Sequence, residues 1–369
     1  MIAFPTLKPG QAGERLDELL HFYLRHPPKG AGCWSLDPPQ PVELGVRLLA
    51  RGFQVGWRPH WMALELTRLR TEHPFPKGLD IVRDNTSLLD RVKELPYAQV
   101  IIPSERTAEL PGQWTRFVAR WEGKIVAHSV VFLSTGPYGA AGIYHVGVVP
   151  RARHLGIGKA VTLAACLYAR ERGYRYAVLN STEAGRKTYA SLGFETVGDG
   201  YTWWLLRDRL LAQPPSPEDI RLAEAVGCGD IAVLQGLDPS AAMLNRPLTN
   251  GMSLMQLAVY GGKQAAGEWL VAAGADCTVL DAWDLGWKDR ARRQLQDDPG
   301  AVNHAYGEWN KTLLHIAAER DDEELTRLAL TAAPDLRLKD KAFQSTPLEW
   351  ARHFRHAGIV ALIEAYREA

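Results

Sequence analysis

The stretch Val146-Gly147-Val148-Val149-Pro150-Arg151-Ala152-Arg153-His154-Leu155-Gly156-Ile157-Gly158-Lys159-Ala160 decides how the chain folds around it. A β-branched apolar run stops at a proline, and a basic turn with two glycines follows. An apolar helical pattern then runs from Lys159 to about Arg172, where Gly173 ends it. Strand, glycine loop and helix start in that order suit phosphate. Glycine lets backbone N–H groups approach closely, the first-turn N–H groups have no partner inside the helix, and the helix dipole favours an anion. Arg153, His154 and Lys159 add positive charge. By itself such a turn also serves tight helix–strand packing. There is no G-x-x-x-x-G-K-[ST], and a dinucleotide fingerprint would need glycine where Val161 stands, so nucleotide hydrolysis and hydride transfer lose ground. No G-x-S-x-G is present for a serine hydrolase.

Working outward, the spacing predicts a helix near Thr86–Glu94, then strands over Thr115–Trp121 and Lys124–Leu133 joined at Glu122-Gly123. A third strand, Ile143–Val149, leads into the loop Arg151–Gly158. A strand at Tyr176–Leu179, a helix containing Tyr189 and a last strand at Tyr201–Leu206 complete a mixed α/β unit. Proline-rich breaks at His73–Gly78 and Gln213–Pro217 divide the chain into segments 1–72, 78–209 and 216–369. In the first of these, Arg51-Gly52-Phe53-Gln54-Val55-Gly56 echoes Leu192-Gly193-Phe194-Glu195-Thr196-Val197-Gly198, and an apolar strand follows each copy.

Two elements carry a resemblance. Arg153-His154-Leu155-Gly156-Ile157-Gly158 resembles the [RQ]-x-x-G-x-[GA] acetyl-CoA motif of the GNAT superfamily, and Tyr189-Ala190-Ser191-Leu192-Gly193-Phe194 is similar to its closing Y-x-x-L-G-F element. The resemblance covers about Gly78–Arg207. It implies a GNAT mixed sheet with flanking helices, with segment 1–72 as a degenerate partial second copy. It also implies acetyl-CoA as co-substrate, with no metal, lying where the fourth and fifth strands splay apart. Val146, Gly147 and Val148 then match the strand edge that pairs with pantetheine, while Arg153, His154, Leu155, Gly156, Ile157, Gly158 and Lys159 match the pyrophosphate loop. Thr182 stands where the family often has a cofactor-binding asparagine.

Tyr189 matches the family's general acid, which gives a proton to the departing CoA thiolate. The echo has Leu48 at the corresponding place, so one active centre is expected. The general base is open: the fifth-strand glutamate of some relatives is Ala177 here, leaving His145, Glu183 or a water chain.

The final segment repeats differently. Ser253-Leu254-Met255-Gln256-Leu257-Ala258, Thr312-Leu313-Leu314-His315-Ile316-Ala317 and Thr346-Pro347-Leu348-Glu349-Trp350-Ala351 each resemble the T-P-L-H-x-A helix start of ankyrin repeats. Leu270–Asp276 resembles the end of an ankyrin second helix. Residues 216–369 are therefore expected to form a mostly helical ankyrin solenoid, a surface that docks protein partners.

Bulk composition bounds the rest. With 43 basic and 42 acidic residues the formal net charge is +1, which offers no general attraction to nucleic acid or an anionic membrane. Cys33, Cys166, Cys228 and Cys277 show no metal-finger spacing and read as reduced structural thiols. No apolar run approaches the ~18 residues of a membrane span and no signal peptide begins the chain, so a cytoplasmic protein is expected. The leading expectation is an N-acetyltransferase acting on a primary amine of a small molecule or protein. Its rivals are a non-catalytic ankyrin protein with an acyl-CoA-sensing GNAT unit and an antibiotic-modifying acetyltransferase.

Overall fold

The computed structural model describes residues 2–3, 7–86, 89–98 and 112–368. Its strands are β1 (Ile2–Ala3), β2 (Gly30–Leu36), β3 (Gln54–Val55), β4 (His60–Glu65), β5 (Leu79–Arg83), β6 (Trp114–Trp121), β7 (Lys124–Leu133), β8 (Ala141–Val148), β9 (Tyr176–Ser181) and β10 (Glu195–Leu206). The first four described helices are α1 (Ala12–Arg25), α2 (Leu44–Ala50), α3 (Ile157–Glu171) and α4 (Glu183–Leu192). The chain divides into one unit of Met1–Lys8, Gly32–Val42 and Val55–Trp204, and another of Pro9–Ala31, Glu43–Gln54 and Leu205–Ala369.

The first unit is built on a mixed sheet in the order β1-β2-β10-β4-β9-β8-β7-β6-β5, with β3 added on β10. β6 and β7 form the expected hairpin. Glu122 and Gly123 both take left-handed backbone, at φ 51° and 73°, which matches the right-handed twist of the paired strands. Pairing of β7 with β8 slips between His128↔Gly147 and Val130↔Tyr144. One residue of β7, Ser129, therefore faces two of β8, His145 and Val146, and the bulge forces His145 to φ 51°.

α3 covers one face of this sheet. Its Leu163, Ala165 and Cys166 pack with Ile143, Leu179 and Phe194, while its Ile157 and Val161 pack with Val118, Val126 and Val149. Ser129 Oγ donates to the carbonyl of Val161 at 2.8 Å, satisfying a hydroxyl buried between strand and helix. β4, drawn from the first 72 residues, lies inside the sheet between β9 and β10, in antiparallel register from His60↔Ser181 to Glu65↔Tyr176.

The helix expected near Thr86–Glu94 is replaced, among its described residues, by a single 3-10 turn at Leu89–Arg91. Ser87 and Leu88 lie outside the described residues. Asp84 Oδ1 accepts from both the N–H and the hydroxyl of Thr86, a local bond that competes with helix. At the other end Glu94 is left-handed at φ 63° and Pro96 disfavours helix at Leu95.

The second unit is mainly helical. Ser253, Thr312 and Thr346 each cap a helix, at Leu254–Gly261, Leu313–Arg320 and Pro347–Phe354, with the reciprocal bond from the third residue in place. Each of these is followed by a second helix or helical pair: Gln264–Ala272, Glu323–Thr331 and Ala357–Glu368. His315, fully buried, accepts the Thr312 N–H at Nδ1 (3.1 Å) and donates from Nε2 to the Ser345 carbonyl (2.9 Å). Asp340 is also fully buried and accepts from the N–H groups of Ala342, Phe343 and Ser345 and from Trp350 Nε1. Arg51, part of the sequence echo, is 1% exposed and bridges Asp17 and Glu224 beside a cavity of about 940 Å³ between α1 and the helix Pro217–Cys228. All four cysteines are free. Among the described residues, no helix is long and apolar enough to cross a membrane, and no group of three or more His, Cys, Asp or Glu is arranged to hold a metal ion.

Candidate functional site

The site begins where two parallel strands part. β8 pairs with β9 only at Ala141↔Ala177 and Gly142↔Val178, so the segment Ile143–Val148 runs on without β9 beside it. Backbone polar groups on a strand edge need partners, and an extended amide-bearing ligand can supply them. Val146 and Val148 turn toward α3, and a β-carbon on Gly158 would stand 3.3 Å from Val148 Cγ2. Gly147 lies on the other face, where a β-carbon would meet the Pro96 carbonyl oxygen at 2.5 Å. The Val148 carbonyl already accepts from Arg153 Nε at 3.3 Å.

The glycine loop stands at the end of the same strand. Pro150–Ala152 forms a 3-10 turn, and the chain then passes through left-handed backbone at His154 (φ 62°) and Gly156 (φ 80°). Gly156 is the N-cap of α3, and among the described residues no side chain caps that end. The first intrahelical bond runs from the Ala160 N–H to the Gly156 carbonyl, so the N–H groups of Ile157, Gly158 and Lys159 precede the helix's own ladder. Arg153, His154 and Leu155 are exposed and Lys159 is half-buried, whereas the Ile157 side chain is committed to the core and offers only its backbone. An uncapped helix start with exposed cations fits a pyrophosphate.

Tyr189 projects from α4, packs on the core beside Phe194 and is half-buried. Burial first, and the nearby Tyr97 second, push its phenol up to about 12. Thr182 is the N-cap of α4, and its Oγ1 accepts from the Gly185 N–H at 3.3 Å. Ala177, on β9, is fully buried in the core.

The two side chains considered for proton removal stand in different surroundings. Glu183 faces His60 Nε2 at 2.8 Å, and the other ring nitrogen of His60 faces Asp199 at 2.7 Å, so that carboxylate is engaged in a bridge. His145, on the β8 bulge, keeps a buried Nδ1 with no hydrogen-bond partner among the described residues, and burial lowers its pKa. Its ring meets that of Tyr97 at 5.6 Å between centroids. Tyr97 carried no motif; only the turn residues around Pro96 hinted that the chain doubles back there.

Residues 85–194 match the model of the acetyltransferase (GNAT) family. A mycothiol acetyltransferase from Thermobispora bispora is 34% identical over 157 residues, 41% of this chain and 46% of the relative. The chain thus matches about half the length of that protein. Among solved structures, a GCN5-related N-acetyltransferase from Kribbella flavida is 18% identical, with a TM-score of 0.41, over 54% of this chain and 77% of its own. One from Sphaerobacter thermophilus is 17% identical, with a TM-score of 0.40, over 53% and 68%.

Proposed function

We propose that the protein is a cytoplasmic N-acetyltransferase that moves an acetyl group from acetyl-CoA to a primary amine of a small molecule or protein. The observation that carries this reading is the parting of β8 and β9 after Gly142↔Val178, with the uncapped start of α3 following at the end of the same strand. Acetyl-CoA would supply an activated thioester. The N–H groups of Ile157, Gly158 and Lys159, with Arg153 and His154, would hold its pyrophosphate; Leu155 would flank it, and the Val146–Val148 edge would take the pantetheine arm. Thr182, whose oxygen caps α4, still has a hydroxyl proton to offer.

The balance of the reaction assigns the remaining roles. The amine nitrogen forms a bond to the acyl carbon, the carbon–sulfur bond breaks, and one proton must leave nitrogen while one reaches sulfur. Tyr189 holds a proton throughout the neutral range and can donate it toward the thiolate. His145, kept neutral by its surroundings, is the better-placed acceptor for the amine proton, since Glu183 is already bridged by His60.

Residues 216–369 are read as ankyrin-like repeats that dock a partner, supported by the capped helix starts at Ser253, Thr312 and Thr346. Segment 1–72 is carried as a degenerate partial copy, on its sequence echo alone. Tyr189→Phe is expected to slow CoA release with an amine acceptor about 100-fold while acetyl-CoA binding is kept. Failure of the full chain to release CoA with any amine would favour the non-catalytic, acyl-CoA-sensing alternative, which Ala177 at the glutamate position motivates.

A further inference from the structure

The face of the sheet opposite α3 is lined by aromatic rings on both sides of the gap between β8 and β9. Side chains alternate along a strand, so Tyr144 points away from the face where Ile143 meets α3. Its ring lies back over Gly142, where a β-carbon would stand 2.5 Å from Tyr144 Cε2. Phe132 is the cross-strand partner of Gly142, and Trp114 the partner of Phe132. The ring centroids of Trp114 lie 4.6 Å from Phe132 and 6.3 Å from Tyr144. This row continues through His145 to Tyr97, which in turn raises the Tyr189 phenol.

Across the gap, Trp61 of β4 is the partner of Asn180 and meets Trp34 at 5.2 Å between centroids. Trp34 Nε1 is a buried donor with no hydrogen-bond partner among the described residues, and His145 Nδ1 is likewise unpartnered. The carboxylates of Glu183 and Asp199 are held by His60, which shares the α3 face with Met62.

We propose that the acceptor is an amine carried on an aromatic body, an arylalkylamine, which lies on this face with its nitrogen at His145. This rests on the acetyl-transfer reading and names its substrate class. Ring faces stack on the aryl group and attract an ammonium ion as it arrives. The apolar setting then favours the neutral amine that can attack. A polyamine or an amino sugar would need carboxylates or many hydrogen-bond partners, and the rings supply neither.

The test measures CoA release by the full chain with 2-phenylethylamine, tryptamine, spermidine, glucosamine and a lysine peptide. The arylalkylamines are expected to have the highest kcat/KM, by about tenfold or more, as one well-packed ring contact provides. Tyr144→Leu should raise KM for 2-phenylethylamine about tenfold with KM for acetyl-CoA unchanged, and Tyr144→Phe should restore it. Spermidine, glucosamine or the peptide as the best acceptor overturns the aromatic assignment and leaves acetyl transfer standing. Saturable quenching of tryptophan fluorescence by 2-phenylethylamine without turnover of any amine supports the site and overturns acetyl transfer. Neither quenching nor turnover overturns both.

Discussion

Tyr189 lies back along its own helix over Gly185: a β-carbon at position 185 would stand 3.1 Å from Tyr189 Cε2 and 3.5 Å from Thr182 Oγ1. A long side chain on a helix leans toward the N-terminus, and here the missing side chain at 185 leaves room for the ring to do so. Alanine is worth about 1 kcal/mol more than glycine inside a helix, so Gly185→Ala should not weaken α4. It should still slow acetyl transfer about tenfold by displacing the phenol a few tenths of an ångström. Melting temperature and CoA release measured on one preparation check this. Unchanged turnover would mean that the position of the ring is not set by Gly185.

The acid side of the pH profile reports on His145. Burial lowers its pKa below the ordinary 6.5, so the neutral ring persists to lower pH than a free histidine would. If it takes the amine proton, the acid limb of kcat/KM attributable to the enzyme falls below pH 6.5. His145→Gln should remove that limb and lower the plateau. A profile whose acid limb survives the substitution assigns proton removal elsewhere. No alkaline limb from Tyr189 is expected in the mildly alkaline range, because its phenol is pushed up to about 12.

His315 predicts acid sensitivity of the helical unit. Its pKa is lowered, chiefly by burial, and its Nδ1 must stay unprotonated to accept the Thr312 N–H. A histidine with a depressed folded pKa contributes stability that is present above the unfolded value of about 6.5 and lost as pH falls through the folded one. Denaturant titrations of the full chain at pH 7.5 and 5.5 should show a falling midpoint. His315→Gln should flatten that dependence while lowering stability at both values.

Asp340 organises the turn before the helix Pro347–Phe354 by accepting four hydrogen bonds while fully out of solvent. Asp340→Ala leaves three backbone donors and one indole without their acceptor, and should cost about 3 kcal/mol. The change should appear in chemical denaturation of the helical unit and leave acetyl-CoA binding unaffected. Equal loss of both would show that the carboxylate does more than hold this turn.

Local chemistry made much of this molecule legible. The β6–β7 hairpin followed from alternating apolar runs on either side of Glu122-Gly123, and the helix starts at Ser253, Thr312 and Thr346 followed from their likeness to a T-P-L-H-x-A pattern, each proving to carry a reciprocal cap from the residue three positions on. The helix expected near Thr86–Glu94 gives way to a 3-10 turn at Leu89–Arg91 for an equally local reason, the Asp84–Thr86 turn and the left-handed Glu94. Tyr97, beside His145 of β8, and Trp61, on the strand next to β9, could not be grouped in advance, because no spacing connects residues brought together by a separate turn and strand.

The sequence by itself determined the strand–glycine loop–helix unit around Arg153–Gly158 and the helix that bears Tyr189, since adjacent residues specify both through backbone freedom, capping and periodicity. Only the tertiary structure decided where β8 and β9 part, that His145 keeps a ring nitrogen without a partner among the described residues while the Glu183 carboxylate is bridged by His60, and that β4 enters the sheet beside β9. Those outcomes depend on strand register and burial, which are fixed by contacts between residues far apart in the chain and leave no periodic mark along it.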